Sequence, residues 1–555
     1  MHKMRLLPAL GAVLLATTVA CAQGARAPEA PPTQPTAPTA TPAAAAKPTG
    51  PAAASATSAP AAAATAAPGA SGAQPTGGEL VVGKEQEAPG LDPAKNPAAA
   101  AILVFDLMYS RLVRLDDQMR PTPDLAERWE QPDPKTFVFH LRQGVKFHSG
   151  RALTSTDVKY TFERILNPDT ASIAKSFFDV IDKIDAPDPA TVVFTLKQPF
   201  APFLVNTAIT WAGIVDRDVV QANNGDLNKV DAGSGPFKLQ EWTPQTRTVL
   251  VKNPDYYVPG QPAVEKLTFL IMPEESARIA ALRTGNVQFT ELTSAGFDTL
   301  KNDRGVAAVN APTLTYTYLG MNVGKPPLDK PEVRQAISLA VDRNAIVQTV
   351  FRGYARQTGP IPTAMADWAL DPAKFPSYQP DLDKARQLMA EAGLPNGFKT
   401  SIMAMATLDY QVEAAQVIQS QLQKINIQSD VQPLEVGVYV DTWKKKGMEL
   451  MVGGNGAGTN PDRAICFFFC TDGSANVWNF SDPQVDQLAL QASQSSDAAA
   501  ARQLYDQAQM RIVDAAPNLF LANQDQFLAY APSVKNFKPM PDGSWQGLIQ
   551  TSIQR

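Results

Sequence analysis

The sequence predicts an α/β protein of two lobes joined by a two-strand hinge, on three observations. Runs of two-residue hydrophobic period fill the first half, helical stripes dominate the second, and strand-like segments stand on both sides of the helical half. Phe137, Phe139 and Leu141 alternate along Thr136-Phe-Val-Phe-His-Leu141, as do Val192, Phe194 and Leu196, and Leu267, Phe269 and Ile271. Each has the period of a half-buried strand.

Further along the chain the period changes to that of a helix. Val333, Ala336, Ile337, Ala340 and Val341 lie on one helical face, with Pro331 placed to open the helix and Gly353 to close the one that follows. Ala385, Leu388, Met389 and Ala392 repeat the stripe before Gly393, and Ala414, Val417, Ile418, Leu422 and Ile425 form a third. These stripes read as core faces. A strand-like Tyr316-Thr-Tyr-Leu-Gly-Met321 gives way to Pro326-Pro-Leu-Asp329 and marks a lobe boundary. The last strand-like run, residues 519–530, is expected to return to the first lobe, so that two crossing strands form the hinge.

Composition narrows the function. The 555 residues carry 49 Lys+Arg against 54 Asp+Glu, a net charge of −5, which gives no broad positive field for a nucleic-acid backbone. Three Cys cannot build a disulfide scaffold. Three His, at His2, His140 and His148, argue against histidine-cluster metal sites and His-based triads, so no metal or cofactor is expected. His148 reads as a scaffold residue. No Gly-x-Ser-x-Gly or His-Glu-x-x-His is present, so an exported hydrolase stays an alternative without a catalytic motif, and no enzyme is predicted.

Residues 1–21 read as an export signal: a basic start (His2, Lys3, Arg5), a 15-residue apolar run from Leu6 to Ala20, then Cys21. The run falls short of the roughly 20 residues that span a bilayer. Thr18-Val-Ala-Cys21 resembles the lipobox of bacterial lipoproteins, which implies lipid on Cys21. Residues 22–78 hold 23 Ala and 11 Pro with no aromatic, a composition that cannot bury a core and reads as a disordered, extended tether. A soluble body of net charge −8 follows, with 45 Lys+Arg and 53 Asp+Glu, held at the outer face of the membrane or in the periplasm.

Five ordered blocks in that body resemble the family 5 solute-binding proteins of bacterial ABC importers, the group of dipeptide-, oligopeptide- and nickel-binding proteins. They are Leu125-Ala-Glu-Arg-Trp129 through Tyr160; Gly233-Ser-Gly-Pro-Phe237 to Trp242; Asn253-Pro-Asp-Tyr-Tyr257; Pro331-Glu-Val-Arg334; and Ala385 through Gly393-Leu-Pro. The resemblance implies a periplasmic-binding-protein fold of class II type. Its first lobe would cover residues 79–318, with an extra subdomain at about 113–210, its second lobe 319–517, and a return to the first lobe 518–555. It also implies a monomer that closes on a solute and docks to a permease and ATPase complex. A chemosensory component, docking the same closed form to a receptor, is the alternative.

In peptide-binding members an Asp in a Gly-rich loop holds the cargo's amino group. The matching position here is Ala457, and residues 400–423 lack the Arg that dipeptide binders use for the carboxylate. The loop instead offers Asn455, Gly456, Ala457, Thr459 and Asn460, with Trp368 and Tyr318 as aromatic candidates. Peptide-class cargo is the expectation from the family, and an oligosaccharide or other neutral polar solute is the alternative. Cys466 and Cys470 are a candidate disulfide if they sit in a loop, since a regular helix there hinders the geometry.

Overall fold

The computed structural model describes residues 77–554. The expected export signal, Cys21, and all but the last two residues of the tether lie outside them. Those two residues, Gly77 and Gly78, already belong to the body: Gly77 donates to the Ala263 carbonyl at 3.1 Å and Gly78 accepts from Glu265 at 3.0 Å.

One sheet of eleven strands organises the body. In the first lobe a parallel trio is formed by Glu79–Lys84 with Lys266–Ile271 on one side and Phe289–Leu292 on the other. In the second lobe Lys399–Met405 runs parallel to both Gln428–Leu434 and Leu450–Gly456. Two long antiparallel strands, Ala307–Met321 and Asn518–Tyr530, lie between the trios and belong to both. Their first-lobe ends pair Ala307 with Tyr530, and their second-lobe ends pair Gly320 with Asn518.

The ladder between the long strands breaks between Pro312 and Tyr316. Proline has no N–H to give, so the carbonyls around it need other partners. Asn523, fully buried, supplies them, donating its amide to the carbonyls of Thr313 at 2.7 Å and Thr315 at 2.8 Å. This interruption lies where the chain passes from one lobe to the other. The strand was expected only from Tyr316; its first nine residues lack the alternation that identifies a strand, and they are held in place by pairing with residues more than 200 positions away.

A separate four-stranded antiparallel sheet, with Thr136–Leu141 and Thr191–Leu196 as its inner strands, packs under the helix Ser155–Leu166. Phe139, Phe162, Phe178 and Phe194 meet edge to face at 4.9 to 5.6 Å, a preferred aromatic arrangement. Thr154 caps the helix: its backbone N–H donates to the Asp157 carboxylate at 3.0 Å. His148 is structural. Its ring nitrogens meet Asp231 Oδ1 at 2.7 Å and the Gly235 carbonyl at 3.0 Å, fastening the strand-and-turn string to the 233–236 turn.

The second-lobe helices fall where the stripes place them: Pro331–Ala340, Leu382–Glu391 and Asp409–Leu422. Each lobe has its own apolar core, around Leu80, Phe105 and Phe269 in the first and Ile337, Ile402 and Val452 in the second. A third apolar cluster runs without interruption from Phe194 and Phe203 of the four-stranded subdomain to Tyr318, Trp478 and Phe469. The lobes therefore touch across the cleft.

Candidate functional site

The strand Leu450–Gly456 delivers the Gly-rich loop to the cleft. Leu450, Met451 and Val452 are buried between neighbouring strands, and from Gly454 the chain emerges toward solvent. A Cβ on Gly453 would collide with Tyr318 Oη, so the strand passes only because that side chain is absent. Gly458, at φ +73°, turns the chain toward Asn460. Asn460 then caps the helix Pro461–Phe469, its Oδ1 accepting from the Arg463 N–H at 2.9 Å, with Pro461 at the first helical position.

The lobes meet around this helix start. Asn460 donates its side-chain amide to Asn206 Oδ1 of the first lobe at 2.7 Å. Ala201 N–H donates to the Ser493 carbonyl at 2.7 Å. The Arg463 guanidinium lies 4.5 Å from the ring centre of first-lobe Phe177 and 3.8 Å from that of Phe467. Arg120 grips Asp367 with two hydrogen bonds of 2.9 and 3.1 Å. That last pair is half exposed and screened by solvent, so the buried contacts matter more.

Between these contacts is a cavity of about 750 Å³ with walls from both lobes. Met119, Pro202, Leu204 and Val205 form the first-lobe wall; Met365, Trp368, Ala492, Ala501 and Tyr505 face them, with Thr459 and Asn460 at the loop side. Its size falls in the range of small-molecule sites. Hollows of about 1000 and 840 Å³ also exist, but each is lined by residues of one lobe only.

The structure brings Trp368, Thr459 and Asn460 together on this cavity. Gly456 is exposed with open space about it, and Asn455 donates to Tyr316 Oη at 3.4 Å. Ala457 is fully buried, its N–H donating to the Leu314 carbonyl at 3.1 Å. Tyr318 stands in the core, edge-on to Trp478 at 5.1 Å, and burial pushes its hydroxyl well above the ordinary phenol range. Cys466 and Cys470 are joined by a disulfide with Cα atoms 4.5 Å apart. They lie at the end of a helix and not in a loop. The helix stops at Phe469, and Cys470 turns to extended backbone, which removes the hindrance of a regular helix.

Sequence reasoning passed over Asp462, Arg463 and Tyr505. Burial pushes the Asp462 carboxyl up to about 7, with no donor or cation offsetting it, and burial brings Arg463 down to about 10. One signal was available: these are the only two charged residues between Glu449 and Asp472. Tyr505 carried none, because it comes from the helix Ala498–Ala515, far along the chain.

Residues 120–477 match the family model described as bacterial extracellular solute-binding proteins, family 5 Middle. The chain belongs to family 5 of the bacterial extracellular solute-binding proteins. A glutathione-binding protein GsiB of Pectobacterium atrosepticum is 30% identical over 465 residues, 81% of this chain and 90% of that protein. Among solved structures, the binding protein AgaA of A. tumefaciens, in complex with agropinic acid, is 28% identical with a TM-score of 0.74, covering 86% of this chain and 99% of that one. DppA of Helicobacter pylori, in complex with the peptide STSA, is 26% identical with a TM-score of 0.73 over the same shares. This family 5 chain is thus a substrate-binding protein of ABC importers, with the two-lobe fold that its relatives share, and those relatives bind solutes and are not enzymes.

Proposed function

We propose that the chain captures a peptide-class solute between its lobes and delivers it to a permease and ATPase complex. In this reading it is a monomer, lipid-anchored through Cys21 at the outer face of the cytoplasmic membrane or in the periplasm. The observation that carries the reading is the 750 Å³ cavity walled by both lobes, since a solute there is contacted on both sides only when the lobes are closed. The names of the relatives support the cargo class: one is a glutathione-binding protein and another holds a peptide.

A neutral polar solute such as an oligosaccharide is the second reading. The buried, uncharged Ala457 and the unpartnered Thr459 hydroxyl favour it.

Native mass spectrometry of the body purified without denaturation tests both. A released peptide supports the first reading and a released sugar the second. An empty protein that no solute class stabilises against heat rejects capture altogether, since ligand at 100 times its dissociation constant adds about 2.7 kcal/mol.

A further inference from the structure

The helix Pro461–Phe469 reaches across to the first lobe at two points within one turn. Asn460, its cap, donates to Asn206, and Arg463, three residues on, lays its guanidinium 4.5 Å from the ring centre of Phe177. The two first-lobe partners are themselves joined, since Asn206 Nδ2 donates to the Phe177 carbonyl at 3.0 Å. The Trp211 ring, 5.9 Å away, packs against Phe177 within the first lobe. On the second-lobe side Phe467 meets the same guanidinium at 3.8 Å, so Arg463 lies against one ring of each lobe.

Aromatic rings take the place of a counter-ion here. Among the described residues no carboxylate offsets the burial of Arg463, and its charge meets the Phe177 and Phe467 rings instead. A guanidinium is planar and weakly hydrated, so it gains more from such rings than an ammonium does. Gly458 leaves the space for it: a Cβ there would strike Arg463 Cδ. Phe177, Arg463 and Phe467 are all absent from the walls of the interlobe cavity. The contact between Arg463 and Phe177 joins the lobes without touching what lies between them, and opening the lobes breaks it.

We infer that Arg463 and Phe177 form a closing clasp indifferent to cargo, which sets how far the solute-free lobes shut by themselves and thereby one common affinity scale for every solute. A solute held by the closed form has an apparent dissociation constant equal to its intrinsic one divided by the closed fraction. A contact that changes only the closed fraction changes every dissociation constant by the same factor. A residue that reads the cargo changes them unequally. The clasp belongs to the lobes and holds whichever solute class the cavity takes.

The test follows the purified chain by single-molecule energy transfer between one dye on each lobe, first without solute. The wild type is expected to show a closed population, and Phe177→Leu and Arg463→Lys each to reduce it about fivefold, the worth of one cation–π contact. Arg463→Lys keeps the charge and loses the plane, and either variant alone carries the test if circular dichroism shows that the other has lost its fold. Reduced glutathione, trialanine and maltotriose then serve as three unlike probes, and each that binds the wild type should bind the variants more weakly by the same factor of about five. A solute-free wild type that never closes, a closed population unchanged by the substitutions, or a weakening that differs between probes overturns the clasp. If none of the three probes binds, the solute-free populations still decide the clasp, and that failure falls on the capture reading alone.

Discussion

Asn460 of the second lobe donates its side-chain amide to Asn206 Oδ1 of the first at 2.7 Å, and both side chains are buried. The two ends of Asn460 do different work: Oδ1 caps its own helix, while Nδ2 bridges the lobes. Asn206 spends its own amide on the Phe177 carbonyl at 3.0 Å, so its Oδ1 is free only to accept. Asn460→Asp keeps an acceptor for the cap and turns the bridge into two facing acceptors. The melting temperature of the solute-free protein is expected to change little. Affinity for the peptide found by native mass spectrometry should fall by about tenfold, from the loss of one buried hydrogen bond, by calorimetry. An unchanged affinity would show that the bridge does not contribute to closure.

Asp462 gives the protein a pH dependence of definite sign. Its carboxyl, with an ordinary value of 3.8, is pushed up to about 7 by burial in the folded chain. Between those values the unfolded chain has released its proton and the folded chain still holds one. Stability contributed by this group therefore falls as pH rises from about 4 to about 7 and is level above that. Asp462→Asn escapes the penalty, so at pH 8 it should be more stable than wild type by about 2 kcal/mol or more, a gap that closes toward pH 4. Chemical denaturation at a series of pH values reads this. A gap independent of pH would assign the effect to something other than titration.

Gly320 lies against the face of Trp478, where a Cβ would run into the six-membered part of the indole. Trp478 is 1% exposed and has no room to retreat. Gly320→Ala is expected to cost about 2 to 3 kcal/mol from overpacking. In a Trp478→Phe background the smaller ring leaves space, and the same substitution should cost about 1 kcal/mol less, a coupling that a double-mutant cycle measures. Equal costs in both backgrounds would mean that the indole does not set the limit at residue 320.

The disulfide between Cys466 and Cys470 closes a very short loop. Its effect on the unfolded chain is correspondingly small, so replacing both residues by Ser should lower stability by about 2 kcal/mol or less. Alkylation followed by intact-mass measurement checks the bond itself: in the body, both thiols should react only after reduction.

Regular elements announced themselves through periodicity. Phe137, Phe139 and Leu141 alternate because one face of their strand is core, and Val333 to Ala340 repeat at helical spacing for the same reason. The front half of the strand Ala307–Met321 was illegible, since its shape comes from pairing with the far end of the chain and not from its own pattern. The Gly-rich loop was legible through its resemblance to the loop of the family, and at Gly453 the structure gives one reason for glycine, since a Cβ there would strike Tyr318. The charged helix start behind it was not: what sets Asp462 apart is burial that raises its carboxyl, a property of the assembled fold and not of the residue.

The two long strands also set an order of events as the chain folds. Thr313 donates its hydroxyl to the Gln524 carbonyl across 211 positions of sequence, and the whole central ladder joins segments equally remote. Closing a loop of that length costs entropy before any contact repays it, so this pairing forms late. Until residues 518–530 arrive, Ala307–Met321 and Phe289–Leu292 each present an open edge, the kind of surface that pairs wrongly with other chains. In this topology the middle of the sheet is completed by a strand from the far end of the described chain.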